Sequence, residues 1–152
     1  MTVYLLRHAR AGERSAWKGD DRLRPLSKVG KRQATGIADL LADARIEQIC
    51  ASPYVRCRQS VEPLAARLGV EIDDIDDLAE GMPVDGTLRL IEKVAHRHAV
   101  LCTHGDIVEE VLAQLRTQGV KLGKAKFEKG SIWALETQSG AVVRATYIAP
   151  PK

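Results

Sequence analysis

Three short segments place histidine and arginine side chains where they could handle an anion. Val3-Tyr4-Leu5-Leu6-Arg7-His8-Ala9 is an apolar run that ends in Arg-His and then breaks. Ala99-Val100-Leu101-Cys102-Thr103-His104-Gly105-Asp106 repeats the pattern near the other end of the chain. In an open α/β sheet, ligands bind beyond the carboxyl ends of the strands. Two strand-end histidines with an arginine beside one of them suit an anion, and one imidazole could act as nucleophile. A histidine after one strand is more often a partly exposed loop residue, so the case rests on a third segment. Ala51-Ser52-Pro53-Tyr54-Val55-Arg56-Cys57-Arg58-Gln59-Ser60 follows the apolar stretch Ile46 to Cys50. Ser52 is a good N-cap and Pro53 suits a first helical position. Arg56 then falls in the opening turn, where its guanidinium and the free N–H groups could share one anion.

The elements that must position these residues alternate along the chain. Residues 3–7 read as a strand, followed by a polar loop from Ala11 to Leu26. Ser27 can cap a helix whose apolar face is Ile37, Leu40, Leu41 and Ala44. A strand over 47–51 leads to a helix over 53–68 closed by Gly69, then a short strand near 70–72. Helix 86–97 carries Leu88, Ile91, Val94 and Ala95 at helical spacing. Strand 98–103 precedes helix 105–116, with Ile107, Val108, Val111, Leu112 and Leu115 on one face. Ser131–Glu136 and Ala141–Ile148 alternate around Ser139-Gly140 and predict a hairpin at a sheet edge. Alternating strands and helices predict an α/β fold. The expected form is a three-layer α/β/α single domain over residues 1–152, with a mostly parallel central sheet, helices on both faces and a C-terminal edge hairpin.

Composition narrows the partners. The 152 residues suffice for a real core, and 45% hydrophobic with 28% charged residues is ordinary for a globular domain. No apolar run approaches the roughly 20 residues of a membrane span. Met1-Thr2-Val3 enters a strand at once, which leaves no room for a signal peptide. Cys50, Cys57 and Cys102 lack metal-ligand spacing and read as reduced, buried thiols of a cytoplasmic protein. Net charge is +3 but uneven: Arg7 to Arg32 holds nine Lys or Arg against three acids, while five of the seven residues Glu71–Asp77 are acidic. A basic N-terminal third suits a phosphorylated ligand. Aromatics at 4%, without aromatic-basic interleaving, argue against nucleic acid. His96-Arg97-His98 has a His-x-His spacing without nearby acids, so neither a metal nor another cofactor is expected. Oligomeric state is not legible.

Taken together, Arg7-His8, Ser52-Pro53-x-x-Arg56-x-x-Gln59 and His104-Gly105 resemble the histidine phosphatase superfamily, with its phosphoglycerate-mutase-like fold. The resemblance runs from residue 3 to about 148. Arg24-Pro25-Leu26-Ser27-Lys28-Val29-Gly30 is similar to the small SixA-type phosphohistidine phosphatases. Lys18-Gly19-Asp20-Asp21 and Arg56-Cys57-x-Gln59-x-x-Glu62-Pro63-Leu64-Ala65 resemble the phosphatase half of Nudix-fused actinobacterial proteins that act on nucleotides. Ala9 departs from the family's usual glycine after Arg-His, and its methyl fits only at negative φ.

The resemblance implies a phosphatase with His8 as nucleophile, through a phosphohistidine that water hydrolyses. His8 must be neutral to attack. Arg7, Arg56 and His104 around it would disfavour the imidazolium. Arg7 and Arg56 would bind phosphoryl oxygens through planar forks, and His104 would donate to an equatorial oxygen at a helix N-terminus, beside Gly105. Glu80 looks like the family's proton donor to the leaving group; the same residue can also be read as the tail of an acidic surface run. Lys18 and Arg22 could touch substrate phosphates, or be solvated loop charges. Only 20 residues separate Gln59 from Glu80 and 23 separate Glu80 from His104, which leaves no room for a cap. An open pocket favours a phosphate displayed on a protein or a nucleotide over a small sugar phosphate; the leading expectation is a phosphohistidine on a protein, as in SixA, and the alternative is a nucleoside di- or triphosphate. A non-catalytic phosphate-binding module is the alternative of another class, and a mutase is a weaker one.

Overall fold

A computed structural model describes residues 1–152. Six strands form one sheet: β1 (Thr2–Arg7), β2 (Gln48–Ala51), β3 (Ile72–Asp74), β4 (Ala99–Thr103), β5 (Ile132–Gln138) and β6 (Ala141–Ile148). Their order is β3-β2-β4-β1-β5-β6. The four strands from β3 to β1 run parallel, and β5 and β6 add an antiparallel hairpin at one edge. The hairpin turns at Ser139 (φ 50°) and Gly140 (φ 82°), the paired positive angles a tight two-residue turn requires.

Four helices cover the two faces: α1 (Lys28–Leu41), α2 (Val55–Leu68), α3 (Val84–Val94) and α4 (Gly105–Thr117). Side chains alternate across a strand, so neighbouring residues feed opposite cores. Val3, Leu5, Ala99 and Leu101 face α3 and α4, packing with Ile91, Val94, Ile107, Val111 and Leu112. Leu6, Val100 and Cys102 face α1 and α2, packing with Ile37, Leu41, Val61 and Leu64. Every residue of β4 is buried, as a central parallel strand should be. The expected three-layer arrangement is therefore present. No helix is long and apolar enough to cross a membrane.

Boundaries moved where local bonding outweighed pattern. α2 begins at Val55 rather than Pro53; Tyr54 is its N-cap. Gly69 at φ 66° closes it, and Val70 N–H still donates to Ala65 O, so β3 starts only at Ile72. α3 ends at Val94, three residues early. On α1 the buried stripe is Ala34, Ile37, Ala38 and Leu41, the spacing of one helical face. Leu40, expected on that face, is 48% exposed, and Ala44 lies beyond the helix end.

Ser27 caps α1 as its sequence predicts, accepting from Gly30 N–H. The carbonyl of Arg10 accepts from Ser27 N–H and from its hydroxyl. Gly30 passes directly under that carbonyl: a Cβ there would lie 1.8 Å from Arg10 O. The contact is backbone, so no rotamer relieves it. Gly30→Ala should cost about 1–3 kcal/mol, read as a drop in Tm of about 2–4 °C per kcal/mol for a chain of this size. An unchanged Tm would show that the loop after β1 yields freely.

Candidate active site

The parallel register brings three strand ends together. Arg7 pairs with Thr103 across β1 and β4, and Ala51 with Cys102 across β2 and β4. The bonding continues one residue past each strand: His8 N–H donates to Thr103 O at 2.9 Å and Ser52 N–H to Cys102 O at 3.0 Å. Arg7, His8, Ser52 and His104 are thereby fixed at one edge of the sheet, with Arg56 close by on the first turn of α2. A cavity of about 440 Å³ opens there, lined by Arg7 and His8, by Arg14 and Arg24, and by Glu80 and Lys129 among others.

His8 is buried and lies edge-to-face with His104, ring centroids 5.4 Å apart. Its Nδ1 is 2.8 Å from Ala9 O. A carbonyl can only accept, so Nδ1 carries the proton and Nε2 of the neutral ring keeps a lone pair. Burial holds the imidazole pKa down to about 3, helped by His104, Arg56 and Arg7 and opposed by the bond to Ala9. The expected arginine effect on His8 is therefore present, but burial is the larger cause. Ala9 has negative φ, as its methyl demands, and Ser60 Oγ accepts its N–H at 2.9 Å.

Arg7 lies across Gly105, where a Cβ would meet the guanidinium at 2.7 Å. Its Nη1 donates to Phe127 O at 2.8 Å. Arg56 is fully buried, and here the structure corrects the expectation of a free fork. Nη1 donates to Asp21 O at 2.8 Å and Nη2 to Asp21 Oδ2 at 3.0 Å. Asp21 also accepts from Arg24 at 2.9 Å and lies 3.9 Å from Arg14. Burial alone would raise the Asp21 pKa; hydrogen bonds and charge from Arg24 and Arg56 outweigh it and hold the carboxyl below its ordinary value. Glu80 stands at the cavity wall, accepting from Arg14 at 2.9 Å and 3.8 Å from Arg56.

Four buried side-chain N or O atoms have no hydrogen-bond partner, and three of them belong to this constellation: Arg7 Nε, Arg56 Nε and His104 Nδ1. A buried polar group left unpaired costs about 1–3 kcal/mol. Arg7, Arg56 and His104 all stand close enough to bear on the charge of the neutral His8 imidazole, a set of groups suited to an oxyanion.

Lys18 and Arg22 lie outside the cavity lining. Arg22 closes on Asp20 two residues away, at 2.6 Å, which takes its fork out of the site. In their place the structure brings Arg14, Arg24 and Lys129. Arg24 stood in a segment with a family signature but no assigned role. Lys129 follows a connection without any motif. Its ammonium pKa is lowered, by burial and then by Arg7, Arg24 and Arg10, with Glu13 opposing. No three His, Cys, Asp or Glu side chains are grouped to hold a metal; His98 Nδ1 instead accepts from Thr2 N–H.

A neutral histidine among arginines at the carboxyl edge of this sheet defines a phosphate-handling class of site, and the comparisons agree. Residues 3–87 match the histidine phosphatase superfamily (branch 1). Over 157 aligned residues the chain is 36% identical to the 8-oxo-(d)GTP phosphatase of Mycolicibacterium smegmatis, covering 99% of this chain and 48% of that protein. The chain thus spans about half the length of that relative. The protein histidine phosphatase SixA in complex with tungstate superposes with a TM-score of 0.79 at 19% identity, covering 100% of this chain and 97% of that one. A SixA from Agrobacterium tumefaciens, itself a candidate phosphohistidine phosphatase, gives 0.75 at 26% identity over 98% of this chain and 97% of its own. The chain belongs to the histidine phosphatase superfamily.

Two measurements follow. Gly105→Ala should displace the Arg7 guanidinium, the flexible end of a side chain, so the fold should hold while kcat/KM falls at least about tenfold; equal activity would place Arg7 outside the chemistry. For His8, the unfolded imidazole titrates near about 6.5 and the folded one near 3. Between those values the unfolded chain binds more protons, so stability falls as pH drops through that window. Denaturant unfolding of wild type and His8→Asn should show a shallower acid loss in the variant; identical slopes would contradict a neutral buried His8.

Proposed function

We propose that the chain is a metal-independent phosphatase acting through a phosphohistidine on His8. Nε2 attacks phosphorus, the bond to the leaving oxygen breaks, and Glu80 supplies that oxygen's proton. Water then attacks the phosphohistidine while the Glu80 carboxylate takes its proton, releasing phosphate, returning Nε2 its electron pair and restoring the acid. Arg7, Arg56 and His104 would neutralise the equatorial oxygens, the part magnesium plays in other phosphoryl-transfer sites. One observation carries this reading: a neutral imidazole with a free Nε2 stands under the influence of Arg7, Arg56 and His104, each of which has a buried nitrogen without a partner.

The leading substrate class is a nucleoside di- or triphosphate. Two things support it. A relative 36% identical over nearly the whole chain acts on a nucleotide, and Arg14, Arg24 and Lys129 add a second tier of cations to the cavity wall. A phosphohistidine on a protein is the second reading, favoured by the backbone likeness to SixA. The test is kcat/KM on a nucleoside diphosphate, a nucleoside triphosphate, a phosphohistidine protein and a sugar phosphate, with and without EDTA, for wild type and His8→Ala. We expect the nucleotides to lead by at least about tenfold, EDTA to leave rates intact, and His8→Ala to lose turnover and covalent 32P labelling together. Residual activity within about tenfold of wild type, a barrier change under about 1.4 kcal/mol, would overturn the nucleophile. A faster phosphohistidine reaction would decide for the second substrate.

A further inference from the structure

Asp106 stands two residues after His104, in the first turn of α4, and lines the cavity together with Glu80. An acid in that turn needs no function to explain it, because a helix N-terminus favours negative charge. Its carboxylate is nevertheless bonded across the fold. Oδ2 accepts Gly81 N–H at 2.8 Å, over a separation of 25 residues. Gly81 is the third residue of a turn over 79–82, closed by Met82 N–H donating to Ala79 O at 3.2 Å. Its φ of 84° is a positive angle that favours glycine. Glu80 is the second residue of the same turn.

The Gly81 nitrogen belongs to the planar peptide that joins Glu80 to Gly81, so the bond to Asp106 fixes the plane beside the Glu80 Cα. The far end of Glu80 is held less firmly. Its Oε1 bonds Arg14 at 2.9 Å, but the Arg14 side chain is 63% exposed, and exposed ion pairs hold little. We propose that Asp106 is a positioning residue for Glu80: it ties the turn at 79–82 to the start of α4 and so holds the Glu80 carboxyl in register with the strand ends that carry His8 and His104. The inference rests on the reading of Glu80 as proton donor. A donor works only within hydrogen-bond reach of the leaving atom, and a displacement of about 1 Å can cost about 100-fold. Two other tasks would use the same carboxylate. It could give the proton itself, or serve Arg7, whose pKa burial lowers and the Asp106 charge raises. Either task needs an ionisable acid. The bond to Gly81 needs only an acceptor oxygen, which asparagine also supplies.

Phenyl phosphate and 4-nitrophenyl phosphate separate these tasks. The two are alike in shape, but phenolate is the poorer leaving group and depends more on a proton. Glu80→Gln should raise the ratio of kcat/KM for the nitrophenyl ester over the phenyl ester at least about tenfold. Asp106→Ala should raise it at least about fivefold, and Asp106→Asn should keep it within about threefold of wild type. In the double variant Glu80→Gln/Asp106→Ala the ratio should match Glu80→Gln alone, since a residue that acts through Glu80 adds nothing once the acid is gone. Amide hydrogen exchange reads the bond without turnover. Gly81 N–H should exchange at least about tenfold faster in Asp106→Ala and within about threefold of wild type in Asp106→Asn. Asp106 is exposed, so both variants should fold. A wild-type ratio in Asp106→Ala beside a raised one in Glu80→Gln would overturn the proposal, and so would unchanged Gly81 exchange. An Asp106→Asn ratio equal to that of Asp106→Ala would make Asp106 the donor instead. Loss on both esters alike, with the ratio kept, would assign it to Arg7. An unchanged ratio in Glu80→Gln would remove Glu80 as the acid, and the proposal with it. Covalent labelling at His8 in the same variants reports on the phosphatase reading separately.

Discussion

The constraint on which this molecule depends is the gathering of like charge. Arg7, Arg14, Arg24 and Lys129 line one cavity, with Arg56 buried beside it. Charges of one sign, partly removed from water, repel strongly and are tolerated only when paired. Asp21 answers Arg56, Arg24 and Arg14; Glu80 answers Arg14 and Arg56; Asp106 offsets Arg7 at longer range. The imidazole of His8 stays neutral chiefly because it is buried, and His104 and the same arginines add to that effect.

The charges also organise the loop between β1 and α1. Through Asp21 that segment is bound to the first turn of α2, and Arg24 donates back to Gly12 O. Glutamine side chains close both of its ends: Gln33 Oε1 accepts Arg10 N–H and Gln59 Oε1 accepts Leu26 N–H. A connection of this length would otherwise lose much of its order to chain entropy. Held this way, it delivers Arg14 and Arg24 to the cavity without a strand or helix of its own beyond two short 3-10 turns.

The alternation of apolar runs was enough to read four parallel strands, two helical layers and the edge hairpin, because each strand sends successive residues to opposite cores. Strand ends carried the site for the same reason: Arg7-His8 and His104-Gly105 sit where an apolar run stops. What escaped reading was set by side-chain competition. Arg22 and Asp20 are two apart and pair locally; Arg24 and Asp21 are three apart and pair too, yet only Arg24 stays at the cavity. Nothing in the spacing distinguishes them. Ser52 looked like a cap because serine before proline commonly is one, and only the neighbouring strand's His104 drew its hydroxyl inward. Lys129 depends on Gly130, whose N–H donates to both Arg7 O and His8 O and holds that turn against β1. Such a tertiary bond leaves no periodic trace.

The arginines show why the guanidinium, rather than any cation, suits this site. Arg56 is anchored through both terminal nitrogens to Asp21, and Arg7 through Nη1 to Phe127 O; in each, Nε is buried and unpartnered. One end of the rigid plane is fixed to protein while another N–H is left without a partner. A lysine could not divide these tasks, because its ammonium is a point charge whose donors rotate together about one stem. Anchored donors lose no further freedom when an oxyanion arrives, and their orientation is set before the reaction begins. The same holds for His104, whose Nε2 lies 2.8 Å from Ser52 Oγ while Nδ1 is buried without a partner. The site is built from groups bonded on one side and free on the other, and an imidazole and two guanidinium groups are the side chains that allow it.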